Sequence, residues 1–155
     1  MTTIQVSLSL DSDGFLRRHC GACDREFKWL QTPEGEDPAY KVDRHLCPYC
    51  GLASDEFWTE AQANYLTAVA VEETVGPALD ELESAAKQLN RAGGLIKMSV
   101  TRSGGTPVRP LASEDMRRVD FLCHPEEPVK VVEEWEGPVH CLTCGELTSH
   151  GGTAR

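Results

Sequence analysis

Hydrophobic and polar residues alternate from the start of the chain. Ile4, Val6, Leu8 and Leu10 fall on one side and Gln5, Ser7 and Ser9 on the other. Period two predicts a half-buried strand. Turn residues fill 11–14, so 15–19 is expected to return as the second arm of a hairpin. A short strand over 27–30, a polar loop over 32–39 and a returning strand over 40–44 complete the first region. The period then changes. Trp58, Ala61, Tyr65, Ala68, Val75, Leu79, Leu82, Ala86 and Leu89 recur at steps of three and four, broken by Glu72. That is a helical apolar stripe in heptad register. Ser54, followed by Asp55 and Glu56, suits its N-terminus, and Gly93-Gly94 after Arg91 suits its end. Gly76-Pro77 interrupts the stripe and leaves two readings, one kinked helix or two helices with Pro77 opening the second.

The third region repeats the first. Residues 96–101 match 4–9 in type, each run meets a turn with Ser and Gly, and each then reaches a segment ending in cysteine, FLRRHC or RRVDFLC. The stretch EPVKVVEEWEGPVH reads as a further hairpin. Each half closes on CxxCG, at 47–51 and 141–145. The coincident order of strand, turn and cysteine predicts an internal duplication.

Seven cysteines decide the chemistry. Cys20 and Cys23, Cys47 and Cys50, and Cys141 and Cys144 form three CxxC pairs, and Cys123 stands apart. The count is odd, the spacing is paired, and the first residues lack a basic start and an apolar export segment. Metal binding in a reducing cytoplasm fits this better than a disulfide framework. No apolar run reaches the ~20 residues that span a bilayer. Two cysteines at i and i+3 on a tight turn present both sulfurs to one ion, and two such turns close a tetrahedral shell. Cys20, Cys23, Cys47 and Cys50 are therefore expected to hold one structural zinc ion. Cys123, Cys141 and Cys144 supply three ligands of a second site, with the fourth expected from His124, then Glu126, then His150.

With its CPYCG knuckle, the chain resembles the zinc ribbons and rubredoxins. Asp24 after Cys23, where rubredoxins carry glycine, and the scarcity of aromatics (6%) set it apart from the iron proteins. The resemblance implies an α+β fold: two small antiparallel zinc-ribbon-like units, 1–52 and 94–155, joined by a long or kinked helical segment, 53–93. Zinc ribbons serve many functions, among them docking onto larger machines and nucleic-acid binding. A second resemblance is weaker. His124-Pro125-Glu126 before Cys141 and Cys144 is similar to the signature of zinc deaminases, in which a glutamate moves protons beside a metal-activated water. The short spacing and the absence of proline before Cys141 depart from that pattern, and Cys123 would have no role. The phosphate-loop pattern is also missing, since Arg102-Ser103-Gly104-Gly105-Thr106 lacks its lysine.

Charge refines the choice. The chain carries 25 acidic and 15 basic residues, a formal charge of −10. The helical segment holds most of the excess, −6 against −2 in each flanking region, as a solvated helix face would. Two thiolate-bound zinc ions would take the total to about −13. Arg17, Arg18, Arg25, Lys28 and Trp29 are the candidates for contacting nucleic acid, but so acidic a chain is repelled by phosphate backbones unless its cations cluster. The expected function is a non-catalytic interaction protein that docks a protein partner through its ribbon surfaces. Pairing of two copies through the helix stripe is a further expectation, nucleic-acid binding the alternative, and a zinc-dependent deaminase the remote one.

Overall fold

The computed structural model describes residues 3–93, 97–101 and 106–148. It is an α+β chain of small antiparallel sheets and one long helix. Strands β1 (Phe15–Cys20) and β2 (Arg25–Leu30) form a hairpin, in register from Phe15 opposite Leu30 to Cys20 opposite Arg25. Strands β3 (His45–Leu46) and β4 (Ala53–Ser54) form a second, very short one. After the helix α1 (Glu60–Arg91) come β5 (Met116–Val119), β6 (Val129–Val132), β7 (Val139–His140) and β8 (Leu147–Thr148).

The two halves share one sheet, of order β1-β2-β6-β5, because Lys28 and Trp29 pair with Lys130 and Val129. They also share one core. Phe27, Tyr49 and Phe57 from the first half pack with Val119, Phe121, Val129, Val131 and Leu142 from the second. The compact units therefore run differently from the expected division into 1–52, 53–93 and 94–155. Leu8–Glu60 and Leu111–Arg155 make one unit; Met1–Ser7 and Ala61–Pro110 make the other. Neither half has enough apolar surface of its own to close a core, so merging the hairpins is the economical solution. The few aromatics are concentrated where they count. Phe27 meets Phe57, Trp29 and Tyr49 edge-on at 5.3, 6.2 and 6.4 Å between ring centroids.

Several expected elements differ. Residues 4–8 keep the alternating burial that their pattern predicts, Leu10 is exposed against it, and the segment joins no sheet. Their expected partner, β1, is taken by β2, because the turn through Cys20–Asp24 closes a tighter hairpin. Ile96 lies outside the described residues, and 97–101 form no strand. The backbone of Met98 is instead satisfied by the Asn90 side chain, which accepts from its N–H at 3.0 Å and donates to its carbonyl at 2.8 Å. Residues 40–44 are irregular, and β6 and β7 go to separate sheets in place of the expected hairpin. Ser54 caps a turn and no helix: its hydroxyl accepts from the Glu56 N–H, and α1 starts later, at Glu60. Pro77 lies inside one continuous helix, which decides between the two readings of that segment. Gly93, at φ +75°, follows its end. The heptad stripe is mostly not core. Val75, Leu82 and Leu89 are 44, 54 and 53% exposed, while Gln62, Gly76 and Ala86 are the buried helix positions.

Candidate metal centres

Three knuckles share one backbone device. The N–H four residues beyond the first cysteine donates to that cysteine's carbonyl: Asp24 to Cys20 at 2.8 Å, Gly51 to Cys47 and Gly145 to Cys141 at 2.9 Å. The closing residue is left-handed each time, with φ +54° at Asp24, +71° at Gly51 and +77° at Gly145. Glycine adopts this freely. Asp24 is held there by its carboxylate, 2.8 Å from the His19 ring, so the departure from the glycine pattern costs the turn nothing in shape.

These turns bring Cys20 and Cys23 on the β1–β2 hairpin against Cys47 and Cys50 on the β3–β4 hairpin. The four sulfurs lie within 4.8 Å of one another. Cys20 and Cys50 are 3.8 Å apart and Cys23 and Cys47 3.7 Å. A tetrahedral zinc ion with bonds of about 2.3 Å would set sulfur–sulfur edges of about 3.8 Å, whereas a disulfide needs about 2.05 Å. All seven cysteines are free thiols. The donor set fits zinc.

The second group is Cys123, His124, Cys141 and Cys144, also within 4.8 Å. His124 joins through Nδ1, 3.5 Å from the Cys141 sulfur, and Cys144 lies 3.5 Å from Cys123. Zinc–nitrogen and zinc–sulfur bonds of about 2.05 and 2.3 Å imply a mixed edge of about 3.6 Å. Of the three residues weighed as fourth ligand, the structure brings His124 into the group. Glu126 is exposed and outside it, and His150 lies outside the described residues. His140 is engaged elsewhere, its ring 3.1 Å from the Gly145 carbonyl oxygen.

Charge explains why such groups call for a cation. Burial and the neighbouring Cys20 push the Cys23 thiol up to about 11, and burial pushes Cys47 higher still. Burial also opposes ionisation of Cys20, but N–H groups of Cys23 and Ala22 outweigh it and hold that thiol below its usual range. In the second group, burial beside Cys144 and Cys141 pushes Cys123 up to about 12, while the Glu146 N–H holds Cys144 down. Cys23, Cys47 and Cys123 thus resist ionisation beside their neighbours, and a divalent ion would compensate the charge of their thiolates.

The two β-hairpins that carry the CxxCG knuckles are related by a pseudo-two-fold arrangement. The Leu46 N–H donates to the Leu142 carbonyl and the His140 N–H to the Pro48 carbonyl, both at 2.8 Å. Each donor precedes the first cysteine of its own knuckle, and each acceptor follows the first cysteine of the other. Close packing repeats the relation: a Cβ on Gly51 would lie 2.9 Å from the His140 ring, and one on Gly145 3.0 Å from Leu46. The register matches too, His45 opposite Ser54 and Val139 opposite Thr148.

A third acidic group, Asp11, Asp13 and Glu114, is already filled by an ammonium. Lys130 Nζ lies 2.8 Å from Asp11, 2.7 Å from Asp13 and 3.8 Å from Glu114. Lys28, 1% exposed, also pairs with Asp11 and donates to the Ser113 carbonyl. Sequence reasoning placed Lys28 among nucleic-acid contacts and passed over Lys130. The overlooked signal was a lysine between apolar strand neighbours, Phe27-Lys28-Trp29 and Val129-Lys130-Val131. The other cations of that set are engaged as well: Arg17 with Glu26 and Asp115, Arg18 over Trp29 and Trp58, Arg25 over Trp135. No helix among the described residues is long and apolar enough to cross a membrane. Compared with known protein families, curated proteins and solved structures, the chain finds no match.

Proposed function

We propose that this chain is a non-catalytic zinc protein of the ribbon type, acting in the cytoplasm, in which two structural ions stiffen a body that docks a protein partner. The observation that carries the reading is the donor count. Cys20, Cys23, Cys47 and Cys50 make one set of four, and Cys123, His124, Cys141 and Cys144 the other. A closed four-donor shell leaves no position for substrate. With zinc bound, the ions would cross-link hairpins of two and six residues that are too short to hold alone. The engagement of Arg17, Arg25 and Lys28 with groups of the same chain, and a charge of −10, weigh for a protein partner over a phosphate backbone. The exposed helix face of Val71, Val75, Leu82 and Leu89 suits a second copy of the chain, and a strictly monomeric sedimentation profile would remove that pairing.

Zinc-edge X-ray absorption on the purified chain tests the core of the reading. Sulfur and imidazole donors alone are expected; a water oxygen on either ion would favour the deaminase-like alternative, with Glu126 as its acid–base group. Affinity purification with and without nuclease treatment tests the partner. A retained protein supports docking, and recovery of nucleic acid alone overturns it.

A further inference from the structure

Arg18 is a buried cation without an anion. It is 8% exposed, its Nε is enclosed with no hydrogen-bond partner, and no carboxylate pairs with it among the described residues. Its guanidinium sits 4.2 Å from the ring centroid of Trp29 and 4.6 Å from that of Trp58. Indole rings attract a cation but accept none of its in-plane N–H bonds. An Nε–H shut away from water with no acceptor is costly. The fold thus presents a strong fork of donors for which the described residues supply no acceptor.

That fork borders a cavity of about 310 Å³, lined also by Trp29, Tyr40, Lys41, His45 and Glu127. The volume suits two or three residues of a peptide. A neighbouring pocket shares Leu30, Gln31, Thr32 and Glu127 with it and adds Glu36, Asp37 and Glu126. One end of the combined groove is cationic, the other acidic. A polyanion would meet the acidic wall, whereas a chain with one carboxylate and a nearby basic group complements both ends.

We infer that this groove binds a peptide segment, its carboxylate held by the Arg18 guanidinium and a basic side chain received by Glu126 and Glu127. A carboxylate matches the planar fork of arginine in two parallel hydrogen bonds. The inference rests on the docking function and deepens it, naming the surface and the chemistry of the partner. The carboxylate belongs either to an acidic side chain or to a chain terminus.

The test is a titration of the zinc-loaded full chain, following the Arg18 Nε–H resonance and tryptophan fluorescence. The probes are the blocked peptide acetyl-Glu-Gly-Lys-Gly-amide, its Gln counterpart, Lys-Gly-Gly with a free carboxylate, and inorganic phosphate. Saturable shifts with the Glu peptide support a side-chain source and with Lys-Gly-Gly a terminal one. The Gln counterpart is expected to bind at least about tenfold more weakly. R18Q should abolish saturation with zinc content unchanged. Because Arg18 is enclosed, E127Q provides a milder second variant, weakening the Glu peptide more than its analogue with norleucine in place of lysine. Equal binding of the Glu and Gln peptides, tighter binding of phosphate, or no saturation by about 10 mM peptide overturns the site. A purified partner that R18Q still retains would remove this groove and leave docking intact; peptide binding with no partner recovered would do the reverse.

Discussion

The two candidate metal centres are built on the same hairpin and differ in what surrounds them. Both CxxCG knuckles turn through the same bond and end on a left-handed glycine, and each leans its preceding residue against the other's glycine. The first centre has four sulfurs from two complete knuckles. The second replaces one knuckle with the adjacent pair Cys123-His124, with the Tyr40 ring 4.4 Å from the imidazole, and leaves Cys144 exposed. Position 49 in the first knuckle is a tyrosine whose hydroxyl donates to the Glu26 carbonyl and accepts from the Val132 N–H, tying β2 to β6. Its counterpart Thr143 has a buried hydroxyl with no partner among the described residues. The lesson we draw is a division of labour. With two buried sulfurs in the shared core, the first centre would organise it. The second, whose one buried donor in that core is Cys141, would brace the same body from its more exposed side.

The largest break in this comparison is expected from Cys47→Ser. Cys47 is fully buried, and structural zinc contributes on the order of 10 kcal/mol to such folds, comparable with a whole domain's stability. Circular dichroism should show the sheet unit unfolded. Cys144→Ser, at the exposed ligand, should leave the unit folded with a lower melting temperature and the first ion in place. An equal loss from both variants would contradict the division.

Lys130→Met comes next, at about 2–4 kcal/mol, because it leaves the Asp11 carboxylate buried with one partner removed. The Lys130 pKa is raised: burial opposes its charge, but bonds to Asp11 and Asp13 outweigh that. A raised pKa gives stability that is complete below the unfolded value of about 10.4 and is lost as pH rises through the higher folded value. Denaturation at pH 8 and pH 11.5 should therefore show the gap between variant and wild type narrowing at the alkaline end.

Alanine at the two glycines sharpens the pseudo-symmetry. Both positions are left-handed, costing about 1–2 kcal/mol for any other residue. Gly51→Ala should cost more than Gly145→Ala, because its Cβ meets an imidazole whose Nδ1 is bonded to a carbonyl, whereas Leu46 can rotate away. Urea midpoints in the opposite order would refute the packing argument. The smallest effects belong to the knuckle tips. Tyr49→Phe should lose about 1–2 kcal/mol, since a half-buried carbonyl and N–H lose their bridge. Thr143→Val should be neutral or slightly stabilising, because its hydroxyl has no partner among the described residues.

The candidate ligands were legible because their geometry is local: i, i+3 spacing forces two sulfurs to one side of a turn whatever the rest of the chain does. His124 led Glu126 on donor chemistry alone, and the β5–β6 connection brings it into the group while Glu126 stays outside. Fold class was readable for the same local reason, and topology was not. The alternation holds in burial over 4–8, but a pattern states which face is buried and not which strand is its neighbour. The merger of the two halves into one sheet rests on Lys28 and Trp29 pairing with Lys130 and Val129; both segments read as strands, but nothing in their patterns says that they pair with each other. Composition gave aromatics as scarce; only the structure gathers them around Phe27.

The claim that two ions hold one shared body is tested most directly by native mass spectrometry of the full chain. The account predicts a folded species carrying two zinc ions, with all seven cysteines open to alkylation once unfolded without reductant. A folded chain that carries no metal, or one lighter by two hydrogens for each cysteine pair, would contradict it.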